Sequence, residues 1–247
     1  MNTWYGIRVL RTTVLMTVCA LFILSMSGCM YPGKNGGQQA SYRESVDRVQ
    51  RAVDQFQKET GILPIVTASE DTPKYEKYKV NVDQLQKKGF IDEIPSSAYE
   101  MGGSVYFLIQ NEEIKPTVKV MDLITVQKTN DVQRLVTKYK SAHAGKLPEF
   151  KEQSPGIYTV DLKVLNGESY AWTSFYSNQI VDFIMDKKGI IYPDYAFDLM
   201  QAVQKSGTKP ELGKDIRDLL LDQSYYVPVR SLPYYWVNNQ PVPQPNL

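Results

Sequence analysis

The sequence predicts an α+β protein: two tandem modules, each a helix with a small antiparallel sheet, after a signal peptide and a flexible tether. Three observations predict it. Residues 1–28 carry Arg8 and Arg11, no Asp or Glu, and an apolar run from Thr12 to Ser27. Apolar residues then recur at helical spacing along two stretches, Val46 to Phe56 and Val132 to Tyr139. Short β-branched and aromatic runs bounded by Gly, Asn and Asp follow each stretch, as strands and hairpins do.

A positive start, a short apolar core and small residues before a break form the pattern of a secretory signal peptide. The core is shorter than the roughly 20 apolar residues of a membrane-spanning helix. Ser27-Gly28-Cys29 closes it. This triplet resembles the lipobox of bacterial lipoproteins, with Met26 where that family most often has leucine. The resemblance implies cleavage between Gly28 and Cys29 and a diacylglyceryl group on the Cys29 thiol. It places the chain on the extracytoplasmic face of the cell membrane, held by its lipid. Two acyl chains anchor stably, where one, at about 0.8 kcal/mol per buried methylene, is marginal.

Removal of residues 1–28 takes away two arginines and no acid, which leaves 26 basic against 27 acidic residues. Such a balance argues against nucleic acid as a partner and against electrostatic membrane binding beyond the anchor. Of the two cysteines, Cys19 lies in the signal and Cys29 is the lipidation site. The folded part then holds no thiol, so neither a disulfide nor a Cys-based metal site is expected. Stability must come from a hydrophobic core, for which the 219 residues 29–247 suffice.

Residues 29–40 read as the lipidated cysteine and its tether. Met30 to Ala40 is rich in Gly and poor in apolar surface, and eleven such residues reach about 18 Å on average. The first module covers 41–128. Ser41-Tyr42-Arg43-Glu44 fits a capping box and predicts a helix of about 18 residues with Val46, Val49, Ala52, Val53 and Phe56 inward. Gly61 and Pro64 end it. Asn81 caps a short helix containing Val82 and Leu85, closed by Gly89. Ser104 to Ile109 is a strand, and Thr117 to Val126 fits strand or helix.

The second module covers 129–207 and reads as a repeat of the first. Val132-Gln133-Arg134 matches Val49-Gln50-Arg51, and Gly145-Lys146-Leu147-Pro148 matches Gly61-Ile62-Leu63-Pro64. Tyr158, Val160 and Leu165 match Tyr78, Val80 and Leu85; Val181 to Met185 matches Val105 to Ile109; Asp198-Leu199 matches Asp122-Leu123. Collinear matches with small offset steps point to a duplication. Asp186-Lys187-Lys188-Gly189 predicts a hairpin turn. Pro193 predicts the start of a helix with Ala196, Phe197, Met200 and Val203 inward, ending near Gly207.

Phe56, Gly61 and Pro64, followed by Leu85, Gly89, Phe90, Ile91 and Pro95, resemble the globular part of pilins and type II secretion pseudopilins. The resemblance implies the fold alone. A pilin begins with an unbroken apolar helix that packs into a fibre, and here a lipobox and a Gly-rich spacer stand in its place.

Residues 208–247 form the tail. Leu212, Ile216, Leu219 and Leu220 predict a last helical stripe, and the Pro- and aromatic-rich end predicts an extended arm clamped on the second module. Trp172, Tyr176, Tyr234, Tyr235 and Trp236 are the residues that could form an aromatic ligand or partner surface.

The single histidine, His143, sits at a helix end and excludes His-pair metal sites and His-based triads. No nucleophile-elbow, P-loop or dinucleotide Gly pattern is present; Asp and Glu are plentiful, so a cell-wall-active enzyme using two carboxylates is a third reading, although no pair stands out. No cofactor and no catalysis are expected. The sequence reads best as an interaction or structural lipoprotein that docks an envelope protein. A solute-binding lipoprotein of a membrane transporter is the alternative, with Trp172 and Tyr176 on one strand face stacking on a ligand.

Overall fold

Why the chain needs its C-terminal tail is visible from the faces of its sheets. The computed structural model describes residues 36–148 and 151–245; the expected signal peptide, Gly28, Cys29 and tether residues 29–35 lie outside them. Tyr42–Leu247 form one compact unit, α+β in class, with several small antiparallel sheets. Among the described residues no helix is long and apolar enough to cross a membrane.

Helix α1 spans Gly36–Thr60, so it includes the last five residues expected in the tether, and Ser41 lies inside the helix and not at its cap. Gln38, Gln39 and Ala40 are good helix formers, and extending an existing helix carries no nucleation cost. Val49, Val53 and Phe56 are fully buried along one stripe. Gly61, at φ +74°, ends the helix by donating its amide to Gln57 O (2.8 Å), the left-handed stop that glycine adopts without strain.

The chain then builds a sheet. Ile65 bridges Val80, Lys79 bridges Leu108, and strand β1 (Val105–Gln110) pairs antiparallel with β2 (Thr117–Asp122). The short helix α2 (Val82–Lys87) intervenes, capped by Asn81, whose side chain accepts from Gln84 N (2.9 Å). Strand alternation divides the hairpin. Val105, Phe107, Ile109, Val118 and Val120 pack against α1, while Leu108 and Met121 turn to the opposite face.

The stretch Thr117 to Val126 resolves into both structures. Strand β2 ends at Asp122 and helix α3 (Leu123–Ala142) starts at the next residue. Asp122 makes the switch without a loop: its Oδ2 accepts from Thr125 N (2.6 Å) and Thr125 Oγ1 (2.7 Å). The expected module boundary at 128/129 falls inside this helix. His143 caps its C-terminal end, exposed, with its ring stacked 3.8 Å from that of Tyr139.

A second antiparallel sheet follows, formed by β3 (Lys151–Ser154), β4 (Ile157–Val160), β7 (Phe183–Asp186) and β8 (Ile191–Pro193), in the order β3-β4-β7-β8. Between them, β5 (Trp172–Thr173) and β6 (Ile180–Val181) make a small hairpin. Helix α3 covers one face through Val132 and Val136 on Phe183, Met185 and Ile191. The two long helices hook onto their hairpins in the same way. Gln50 donates to Pro116 O (3.1 Å) and accepts from Val118 N (2.6 Å). Gln133 donates to Gly189 O (2.8 Å) and accepts from Ile191 N (2.9 Å).

Helix α4 spans Ala196–Ser206. Pro193 is the last residue of β8 and not a helix start; Asp194 intervenes and accepts from Ala196 N (2.9 Å). Asp122 immediately precedes α3, whereas Asp198 lies in the first turn of α4. Leu199, Ala202 and Val203 face inward, whereas Phe197 is 54% exposed.

The tail covers what the helices leave open. Its helix, α5, is only Asp218–Gln223, and Leu212 of the expected stripe is exposed. Leu221, Val227 and Val229 pack on Leu108 and Met121 of the first sheet, and Tyr226 bridges Val120. Leu232 packs on Ile157 and Ile184 of the second. The arm therefore clamps both sheets, not the second alone. Its end is a hairpin, β9 (Tyr234–Val237) with β10 (Gln240–Pro243). Asn238 and Asn239, both at positive φ, make the tight turn that suits strand twist.

Candidate functional site

A groove opens where the edge of the second sheet approaches the last hairpin. One wall is β3, the edge strand, with Lys151, Glu152 and Gln153 exposed. The other is β10, which pairs with β9 alone. The floor is the start of α4, with Phe197 and Met200, beside Thr159 of β4. The cavity measures about 490 Å³. At one end the walls meet, where Ser154 Oγ donates to Pro243 O (2.8 Å). A second depression of about 470 Å³ shares Gln153, Thr159 and Asp194 with it and continues past Asp161, Leu162, Lys163, Glu168 and Asp182.

The walls carry acids in excess. Among the described residues, Glu152, Asp161, Glu168, Asp182 and Asp194 are accompanied by only Lys151 and Lys163 as basic residues lining the two depressions. Asp194 is fixed by three donors: Tyr234 Oη (2.8 Å) and Ala196 N (2.9 Å) on Oδ1, and Gln153 Nε2 (2.8 Å) on Oδ2. Asp182 sits beside it, with Asp194 N donating to Asp182 O (2.8 Å). Partial burial first, then the Asp194 charge, push the Asp182 carboxyl above the ordinary range.

Most of the aromatic residues singled out from the sequence belong to the core. Tyr234 is fully buried and Trp236 is 7% exposed; both pack on Tyr195, Leu199 and Leu220. They offer no free surface, because the faces that alternate inward along β9 are theirs. Tyr235 is half-buried on the opposite face, across from Val242. Trp172 lies in β5, but that strand ends at Thr173, so Tyr176 falls in the following turn and the two do not share a strand face. Tyr176 donates to Tyr226 O (3.1 Å) and meets Tyr195 edge-on at 6.0 Å. Cys29 and Gly28 lie outside the described residues.

The groove residues went unseen in the sequence because strands far apart in the chain supply them. Pro241 and Pro243 were the available signal: prolines at alternate positions mark an edge strand.

A second acid is buried away from the groove. Asp198 is 3% exposed; its Oδ2 accepts from Ser174 Oγ (2.8 Å), and its Oδ1 has no hydrogen-bond partner among the described residues. Burial raises its pKa, against the lowering effect of Ser177 and Ser174. Burial likewise raises Asp122. A carboxyl whose folded pKa lies above its unfolded value binds its proton more tightly when folded. Its contribution is fully present below the unfolded value and is lost as pH rises through the folded one. Melting temperature should therefore rise as pH is lowered from neutrality toward the ordinary carboxylate range. Asp198→Asn should flatten that dependence, and thermal melts of the two proteins across this range check it.

Residues 42–122 match the YphF family N-terminal domain. That span runs from α1 to the end of β2, and the groove, built from residues between 151 and 243, lies outside it. No curated protein and no solved structure matches the chain.

Proposed function

We propose that the protein is an extracytoplasmic lipoprotein, held at the cell membrane through Cys29, that binds an envelope protein and catalyses no reaction. The observation that carries the docking half is the groove between β3 and β10, with an exposed Phe197 on its floor and acids on its rim. A concave surface lined by apolar side chains with a few convergent polar groups is the usual form of a binding site. The lipobox-like Ser27-Gly28-Cys29 supports the anchoring half, since a diacylated cysteine holds a chain at a bilayer without a spanning helix.

A photo-crosslinking residue in place of Phe197, introduced into the full chain in cells, tests both halves. The expected result is one discrete adduct with an envelope protein in the membrane fraction. Val242→Arg, which places a charged side chain in the groove wall, should abolish the adduct. Cys29→Ser should release the chain from membranes. An adduct that persists undiminished in Val242→Arg overturns the docking site. A Cys29→Ser chain that stays in the membrane fraction overturns the lipid anchor.

A further inference from the structure

We infer that the groove takes an extended segment of the partner, bearing lysine or arginine, as an added strand between β3 and β10. This rests on the docking reading above and names the chemistry of what docks. Three features of the walls carry it.

The first is the phase of β10. Gln244 N donates to Pro233 O (2.9 Å), one step beyond the Pro243–Tyr234 pair. Hydrogen-bonded pairs alternate along an antiparallel ladder, so Gln240 and Val242 direct their backbone groups to β9. Pro241 and Pro243 direct theirs away from it, into the groove, as the Ser154 bond to Pro243 O already indicates. A proline has a carbonyl and no N–H. This wall therefore presents acceptors alone, and a matching occupant must supply donors. A backbone N–H of an extended peptide does so, and so does a cationic side chain.

The second is charge. Five carboxylates and two lysines line the paired depressions. The Asp194 charge, after partial burial, helps hold the Asp182 carboxyl above its ordinary range. A cation between them relieves that repulsion, whereas an anion adds to it.

The third is the opposite wall and the floor. Strand β3 is an edge strand with a register shift between Glu152 and Ser154, so the main chain on its Lys151 side is the stretch of unpaired edge that can accept a further strand. Successive side chains of an added strand point to opposite sides. Apolar ones then meet Phe197 and Met200, and basic ones reach the carboxylates at the rim.

The probe is a capped peptide of about eight residues, alternating lysine and valine, long enough to span β3 at about 3.3 Å per residue. It is titrated calorimetrically against the full chain in detergent, with amide hydrogen exchange as the second readout. Two controls accompany it: the same peptide with glutamate for lysine, and the lysine peptide N-methylated at alternate amides. The expected result is binding of the lysine peptide, weakened about tenfold or more by either change, with exchange protection confined to Lys151–Ser154. Asp161→Lys combined with Asp182→Lys should weaken it by a similar factor. Equal binding of the lysine and glutamate peptides, indifference to N-methylation, or protection elsewhere overturns the added-strand mode. If none of the peptides binds while Phe197 still crosslinks a partner in cells, docking stands and this mode falls. If the crosslink fails as well, both fall.

Discussion

Gly103→Ala is expected to be among the most damaging single substitutions in the chain. A Cβ at this position would lie 2.0 Å from Ser97 O, 2.2 Å from Ser97 C and 2.6 Å from Ser96 O. All three are backbone atoms, so no rotamer change relieves the clash. The segment cannot retreat freely either. Gly103 N donates to Ala98 O (2.8 Å) and Val105 N to Ser97 O (3.2 Å), and Ser97 Oγ meets Ser45 Oγ of α1 at 3.2 Å. Ala98, fully buried, bridges Val105 at the start of β1. Making room means lifting 96–98 out of the first core, with an overpacking cost of about 3 kcal/mol or more once the hydrogen bonds are counted. For a unit of this size each kcal/mol is worth about 2–4 °C, so the melting temperature should fall by about 6–12 °C. Gly102→Ala is the informative control. Gly102 has φ +80° but nothing within 4 Å of the added carbon, so the cost there is the left-handed backbone alone, about 1–2 kcal/mol. Thermal melts should rank Gly103→Ala well below Gly102→Ala. The reverse order would mean that the 96–98 segment is free to move.

What could be read from the chain depended on how local the signal was. Val49, Val53 and Phe56, and Val132 and Val136, announced their helices through spacing alone, and all are buried. Asn81 and Gly61 announced their caps because capping is settled within four residues. Asp122 shows the limit. A β-branched run that is strand on one side of a residue and helix on the other has no single period, and only the side-chain bond to Thr125 marks the change. Gln50 and Gln133 lay in matched blocks, yet their shared task of pinning a hairpin strand is a long-range contact that spacing does not encode. Pro193 suits both the end of a strand and the first turn of a helix, and the structure uses it as the former. The aromatic residues misled for a related reason. Composition marks Tyr234 and Trp236 as large and amphipathic, but which side of β9 they take depends on register with β10 and on what lies beneath. The groove is the least local feature of all, since Gln153, Asp182, Asp194 and Pro241 meet only when β3, β8 and the tail hairpin are in place.

That dependence on the tail makes Tyr234 the residue on which fold and groove should turn together. Its ring is fully buried among Tyr195, Leu199, Leu220 and Trp236. Its hydroxyl donates to Asp194 Oδ1 (2.8 Å) and accepts from Tyr195 N (3.0 Å). One side chain thus ties β9 to the chain that links β8 to α4, and it fixes the central carboxylate of the groove. Tyr234→Phe keeps the ring but strands a buried amide, for an expected cost of about 1–3 kcal/mol. Asp194 Oδ1 still accepts from Ala196 N, so the groove should keep its shape and its lysine-peptide affinity. Tyr234→Ala removes the ring as well, at about 3–5 kcal/mol, and frees β9 to shift. The register Pro241–Trp236 and Pro243–Tyr234 makes β10 move with it. Amide exchange at Gln240, Val242 and Gln244 should then accelerate strongly, and the lysine peptide should lose most of its affinity. Tyr235→Ala, on the half-buried outer face of the same strand, should cost about 1 kcal/mol or less, the usual range away from the core. Denaturant unfolding orders the three variants, and exchange at β10 separates loss of the hydroxyl from loss of the ring. If Tyr234→Ala matches Tyr235→Ala in stability, the hairpin is not held through this side chain, and the groove wall must be supported by Ser154 and the α4 contacts instead.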